Sequence, residues 1–118
     1  FEKLHDWYAR MLMPDGRTPC PGDSGRVDPS SLLAYAAVMF DRPDLKYLSG
    51  AKTFSLGFVW VGGTDLIDRY ARMPAHIPKW GPSTLLPDAH YIIFRDSWQT
   101  WPKREGTALF FDAAPWAG

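Results

Sequence analysis

Aspartates stand singly at Asp15, Asp23, Asp28, Asp88, Asp96 and Asp112, and histidines at His5, His76 and His90. Two carboxylates facing across a sugar, about 5–10 Å apart, would make a glycoside hydrolase. Nothing in the spacing of these aspartates pairs them. Asp15 precedes Gly16 and Asp88 follows Pro87, which is ordinary turn chemistry. Asp23 is less easily explained, because "PGDSG" lies in the middle of a long loop with no helix directly after it. That segment lacks both the lysine and the following helix of a phosphate-cradling loop, and the chain has no Gly-x-Ser-x-Gly elbow. No two histidines are four apart on a helix face, and Cys20 is alone. Spacing therefore supports neither a metal site nor an internal disulfide. Arg95 stands in an otherwise apolar strand pattern, where a guanidinium is costly unless it pairs or faces open surface. It reads either as an ion-paired or exposed residue, or as an arginine that receives a carboxylate at a domain interface.

These residues need elements to position them. "FEKLHDWYARML" places Phe1, Leu4, Tyr8, Met11 and Leu12 at helical spacing, with His5 at the edge of the apolar face, and Pro14 and Gly16 end it. "MPDGRTPCPGDSGR" then holds three prolines and three glycines in fourteen residues, a long loop of the kind that carries function or covers something. Asp28 followed by Pro29 predicts an N-cap and a first helical residue for the run "SSLLAYAAVMF", apolar nearly all round. "DRPDLKYLSG" predicts a short helix closed by Gly50. "TFSLGFVWVGG" fits a buried helix or strand by periodicity, and context favours helix. "TDLIDRYARMP" predicts a helix capped by Thr64, with Arg69 and Arg72 at its negative end and Pro74 stopping it.

From residue 75 to 87 the chain reads as an irregular, Pro-rich linker. "HYIIFR" then alternates, with Tyr91, Ile93 and Arg95 on one face and Ile92 and Phe94 on the other. "QTWPKREG" reads as a polar turn and "TALFFDAA" as a mostly buried strand, so a hairpin is expected. Two strands are not stable alone in water. The expected division is residues 1–80 as the end of a helical domain and 81–118 as the start of an antiparallel sheet domain. Phe1 opens within an amphipathic pattern and "APWAG" follows the last strand without a terminating element. The chain is expected to be a piece of a longer protein.

Thirteen basic residues balance thirteen acidic ones, with no basic run longer than "PKRE". That argues against a nucleic-acid partner, which meets a concentrated positive face. No apolar run approaches the ~18 residues that would suggest a membrane span. Six tryptophans and 15% aromatics are the strongest bias in the composition. Buried aromatics supply core, and exposed ones stack on sugars or bases.

Taken together, "PDGRTPCPGDS", "LPDAHYIIFRDSW" and "LFFDAAPWAG" resemble, in that order, three segments of the heparinase II/III-like polysaccharide lyases. There a Pro-Asp-Gly … Pro … Gly-Asp-Ser loop closes an incomplete (α/α) toroid. Strands reading like "LPDAGYYVLRSGW", and one ending in Asp-Ala-Gly-Pro, open a β-sandwich. His90 stands where the family more usually has Gly, and Asp96-Ser97 replaces a Ser-Gly pair. The resemblance implies an α+β chain: the C-terminal helices of the toroid followed by the first strands of the antiparallel β-sandwich. It implies β-elimination on an acidic, uronate-containing polysaccharide in a periplasmic or secreted protein, with the rest of its own β-sandwich as partner. The family's catalytic Tyr and His match no position here, so no catalytic residue is expected in this chain. Zinc occurs in some members, but no ligand for it is matched. Substrate-binding groups are expected at Arg17, Asp23, Arg95, Trp98 and Trp116. Two other readings are a non-catalytic carbohydrate-binding protein on the same scaffold and a glycoside hydrolase of (α/α)-barrel type.

Overall fold

A computed structural model describes residues 2–19, 25–52, 56–98, 101 and 105–115 of the chain. The first helix, α1 (Glu2–Met11), follows its sequence pattern, burying Ala9 and Met11 and also His5, whose ring packs at a tilt against Phe40 with centroids 5.7 Å apart. Helix α2 (Ser30–Met39) buries Leu33, Ala34, Ala36, Ala37 and Val38. It is the central element, packed against α1, α3 (Pro43–Ser49) and α5 (Asp65–Arg72), which accounts for its lack of a polar face. Helix α4 (Leu56–Gly62) packs on α5, so the ambiguous "LGFVWVG" is helix, as context favoured. Residues 53–55 at the start of that run lie outside the described residues.

Two predicted helix starts are corrected in detail. α2 begins at Ser30, one residue later than expected. The Asp28 carboxylate still accepts the Ser30 N–H at 3.0 Å, while the Pro29 carbonyl accepts from Leu33 at 2.8 Å. Thr64 does occupy the N-cap position of α5, but its side chain makes no capping bond. The C-terminal expectation for α3 holds: Gly50 closes it at φ 63°, a left-handed conformation that favours glycine.

Cations from neighbouring elements meet several helix C-termini. Lys46, on α3, donates to the carbonyls of Tyr70 and Met73, both at 2.6 Å, at the end of α5. Arg69, on α5, reaches the Val38 carbonyl of α2 at 3.4 Å. The last carbonyls of a helix have no partner within it and carry the negative end of its dipole, so each contact joins two elements as well as capping one.

The sheet has three antiparallel strands in the order β1 (Thr84–Leu86), β2 (Tyr91–Arg95), β3 (Ala108–Asp112). Among the described residues the molecule is therefore α+β, with five α-helices followed by this sheet. β1 lies within the segment expected to be linker. At three residues it is too short to show alternation, and its pairing to β2 through Thr84–Ile93 and Leu86–Tyr91 creates it. The expected hairpin of β2 and β3 is present, with Ile92 opposite Phe111 and Phe94 opposite Leu109. β3 is not mostly buried: Leu109 and Phe111 are each more than half exposed. The expected polar turn before it is corrected at Trp101, which is buried in the core; residues 99, 100 and 102–104 of that turn lie outside the described residues.

A short 3₁₀ turn (Pro87–Ala89) joins β1 to β2 and ends on His90 at φ 58°, ψ 33°. A left-handed backbone costs a residue with a Cβ about 1–2 kcal/mol, and glycine avoids that at an entropic cost of about 0.5–1 kcal/mol. His90→Gly is therefore expected to raise stability by up to about 1 kcal/mol, read from the urea midpoint. A lowered midpoint would mean that the imidazole makes a contact worth more than the strain.

Candidate functional site

The inner face of the sheet meets the helices through Arg95 and a cluster of tryptophans. Alternation along β2 turns Ile93 and Arg95 inward, and both are buried. The Arg95 guanidinium donates through Nε to the Leu12 carbonyl at 2.7 Å and through Nη1 to the Pro82 carbonyl at 2.6 Å; Nη2 donates to the Arg10 carbonyl. The Arg10 and Leu12 carbonyls lie at the C-terminal end of α1, so Arg95 caps that helix from the sheet. Its plane lies over Trp98, 5.1 Å from the ring centroid. Burial, with the nearby Arg10 charge, pulls the guanidinium pKa down to about 10, so it remains charged at neutral pH.

Trp98 packs edge-on against both Trp80 and Trp101, with centroids 4.9 and 5.1 Å away. Its Nε1 donates to the Trp80 carbonyl at 3.1 Å, and its own carbonyl accepts from the Tyr47 hydroxyl at 2.5 Å. Trp98 and Trp101 belong to the same apolar cluster as Leu33, Leu45, Leu48 and Tyr70 of the helices. Arg95 and Trp98, both expected to bind substrate, thus face the helices, and the contacts described here fasten the sheet to them.

Arg17 is exposed at the start of the long loop, where its N–H donates to Asp15 and its carbonyl accepts from Met13. The loop is closed at its base by Thr18 and Val27: the Thr18 N–H donates to the Val27 carbonyl at 2.8 Å and the Val27 N–H to Thr18 Oγ1 at 3.1 Å. Arg26 clamps the same base, bonding both Asp15 carboxylate oxygens and the Thr18 carbonyl. Asp23 and Trp116, the other two expected substrate-binding residues, lie outside the described residues, as does Cys20.

Most of the single aspartates that could have formed a hydrolytic pair serve local backbone. Asp15 accepts from Arg17 and Asp28 from Ser30. Asp96 accepts from Ser97 and Thr107, and Asp112 from Ala114. Among the described residues no three of His, Cys, Asp and Glu converge as a metal site would require, so no step is assigned to zinc.

A cleft of about 380 Å³ opens between the start of α3 and the segment after α5, lined by Arg42, Pro43, Asp44, His76, Ile77, Lys79 and Trp80. Its walls are tied together, since the His76 N–H donates to the Pro43 carbonyl at 3.2 Å. Arg42 holds Asp44 in a two-pronged pair, Nε–Oδ1 2.8 Å and Nη2–Oδ2 2.6 Å, and also reaches Asp6 at 2.9 Å and Glu2 at 3.0 Å on α1. These bonds, that from Asp44 foremost, hold the Arg42 pKa well above its usual value against the opposing effect of burial. Burial works to raise the Asp44 pKa, and the bonds from Arg42 outweigh it, leaving that carboxyl below its ordinary range. Trp80 is half-buried, with Arg10 stacked 4.6 Å from its ring centroid. The cleft has no periodic signature in the sequence, because "HIPKW" lies in an irregular, Pro-rich stretch. An aromatic beside a basic residue in a loop was the available signal.

Elsewhere, Trp60 on α4 is 89% exposed, an aromatic free to stack on a ligand. Comparison of the chain with family models, with curated proteins and with solved structures finds no match.

Proposed function

We propose that the chain is the junction of an incomplete (α/α) toroid and an antiparallel β-sandwich in a polysaccharide lyase acting on uronate polysaccharide. Residues 1–80 end the toroid and 81–118 begin the sandwich. The observation that carries the reading is the outer face of the sheet. Leu85, Ile92, Phe94, Leu109 and Phe111 share it across all three strands, with no polar residue among them. Four of the five are more than half exposed. Aligned sandwiches bury such a face against a second sheet about 10 Å away, here the rest of the same domain. A second support is local: the left-handed backbone at His90 is the geometry that favours the glycine of the family's motif.

In such a lyase the substrate carboxylate is neutralised, which acidifies the C5 proton. A base takes that proton, the C4–O bond breaks, and the departing glycosidic oxygen is protonated by a Tyr or His. The products are an unsaturated uronate and a free hydroxyl. The catalytic Tyr and His match no residue of this chain, which contributes binding groups, with Arg17 and Asp23 offered from the long loop and Trp116 after β3. Arg95 and Trp98 act as positioning residues, holding the sheet on α1 and α3. The protein is periplasmic or secreted on this reading.

A second reading, a carbohydrate-binding protein without catalysis, is favoured by the exposed Trp60 ring. Ultraviolet absorbance of the C4–C5 double bond separates the two when the full-length protein, with this chain alone as control, is offered a panel of uronate polysaccharides. A rise with the full-length protein and none with the chain alone is expected. Sugar binding without a rise would favour the second reading, and a water-added product would favour a hydrolase.

A further inference from the structure

Resting on the acidic-polysaccharide reading, we propose that the cleft between the start of α3 and residues 76–80 is a subsite for one uronate residue of the substrate. Lys79 and His76 would receive its carboxylate, and the Trp80–Ile77 wall the apolar face of its ring.

The volume is of the size that small-ligand pockets take, about 300–1,000 Å³. The wall is mixed in the way sugars require, with Pro43, Ile77 and Trp80 apolar and Arg42, Asp44, His76 and Lys79 polar. Trp80 is fixed before any ligand arrives: Trp98 packs edge-on to it and donates to its carbonyl, and Arg10 stacks on its ring. Prior ordering of a stacking residue lowers the entropy lost on binding.

What an acidic sugar would find here, and a neutral one would not use, is a lysine on the wall. Asp44 is the carboxylate of the wall, and Arg42 holds both its oxygens. Glu2 and Asp6 bond the same guanidinium. Of the cations lining the cleft, Lys79 is the one with no ion pair among the described residues, and its side chain is exposed, as is that of His76 nearby. A carboxylate placed there meets a lysine that pairs with no anion among the described residues, and a bond between two charged groups is the strong kind.

The experiment is isothermal titration of the full-length protein with glucuronate, galacturonate and mannuronate oligomers, beside neutral glucose and galactose oligomers. Lys79→Glu is compared with Lys3→Glu, an equal charge change at an exposed site on α1. Both side chains are exposed, so both variants are expected to fold, checked by an unchanged urea midpoint. The expected result is at least tenfold weaker binding of an acidic oligomer by Lys79→Glu, unchanged binding by Lys3→Glu, and no comparable Lys79→Glu effect on any neutral oligomer that binds. Undiminished binding by Lys79→Glu would overturn the subsite while leaving the lyase reading in place. A full-length protein that binds no acidic oligomer and forms no C4–C5 double bond would overturn both.

Discussion

Arg95→Met is expected to lower stability by about 3–5 kcal/mol, the largest effect expected of any charged side chain among the described residues. Methionine fills much of the same volume, so the loss isolates the guanidinium. The wild-type group is 6% exposed and donates to carbonyls of Leu12, Pro82 and Arg10. Each carbonyl left buried without a donor costs about 1–3 kcal/mol, and part of that is returned because a buried cation no longer has to be desolvated. Two of the three carbonyls end α1, so the helix also loses its cationic cap. Arg95→Lys is expected to recover less than half the loss, because an ammonium cannot reproduce the planar fork that meets three divergent acceptors. Urea denaturation of the two variants measures both numbers. A loss below about 1 kcal/mol for Arg95→Met would mean that the carbonyls find water, and that Arg95 is free for another task.

This arginine also marks how far the sequence could be read. Its strand was legible, and so was its face, because Tyr91, Ile93 and Arg95 alternate with Ile92 and Phe94 over enough residues to define a pleat. What lay opposite was not legible. The acceptors are backbone carbonyls more than eighty residues away on α1 and thirteen away at Pro82, and carbonyls leave no trace in residue identity. The same limit hid the capping of α5 by Lys46 and of α2 by Arg69. Local chemistry fared better: Gly50, the amphipathic pattern of α5 and the Asp28–Ser30 contact were readable because each acts within a few residues. β1 is not legible because three residues cannot display a period, and β3 reads as buried because apolar residues on both its faces look the same as a core strand. For the candidate site, Asp23 stands out by its place in the long loop and Arg17 only through the family resemblance, whereas the Lys79–Trp80 cleft is assembled by packing α3 against a stretch with no pattern of its own.

Trp101→Ala is expected to cost about 3–5 kcal/mol, the usual range for truncating a fully buried aromatic. The residue is 1% exposed, and its Nε1 donates to the Leu48 carbonyl at 3.2 Å. Its ring stacks edge-on with Trp98, which in turn contacts Trp80 and lies beneath Arg95. Removing it leaves a cavity where the apolar cluster of the helices meets the segment that follows β2, so the damage reaches the join between helices and sheet. Its neighbours in sequence are Pro102, Lys103 and Arg104, which is why local composition reads as a polar turn. The indole is drawn inward by the hydrophobic gain on burying a ring of this size and by the bond its N–H makes to the Leu48 carbonyl. Trp101→Phe separates those two causes, since it retains most of the packing and loses the donor. Its expected cost is about 1–3 kcal/mol, from the lost bond to the Leu48 carbonyl and the smaller ring. If Trp101→Ala proved nearly neutral by urea denaturation, the ring would have to lie outside the core, and the six tryptophans would have to be reapportioned between packing and sugar recognition.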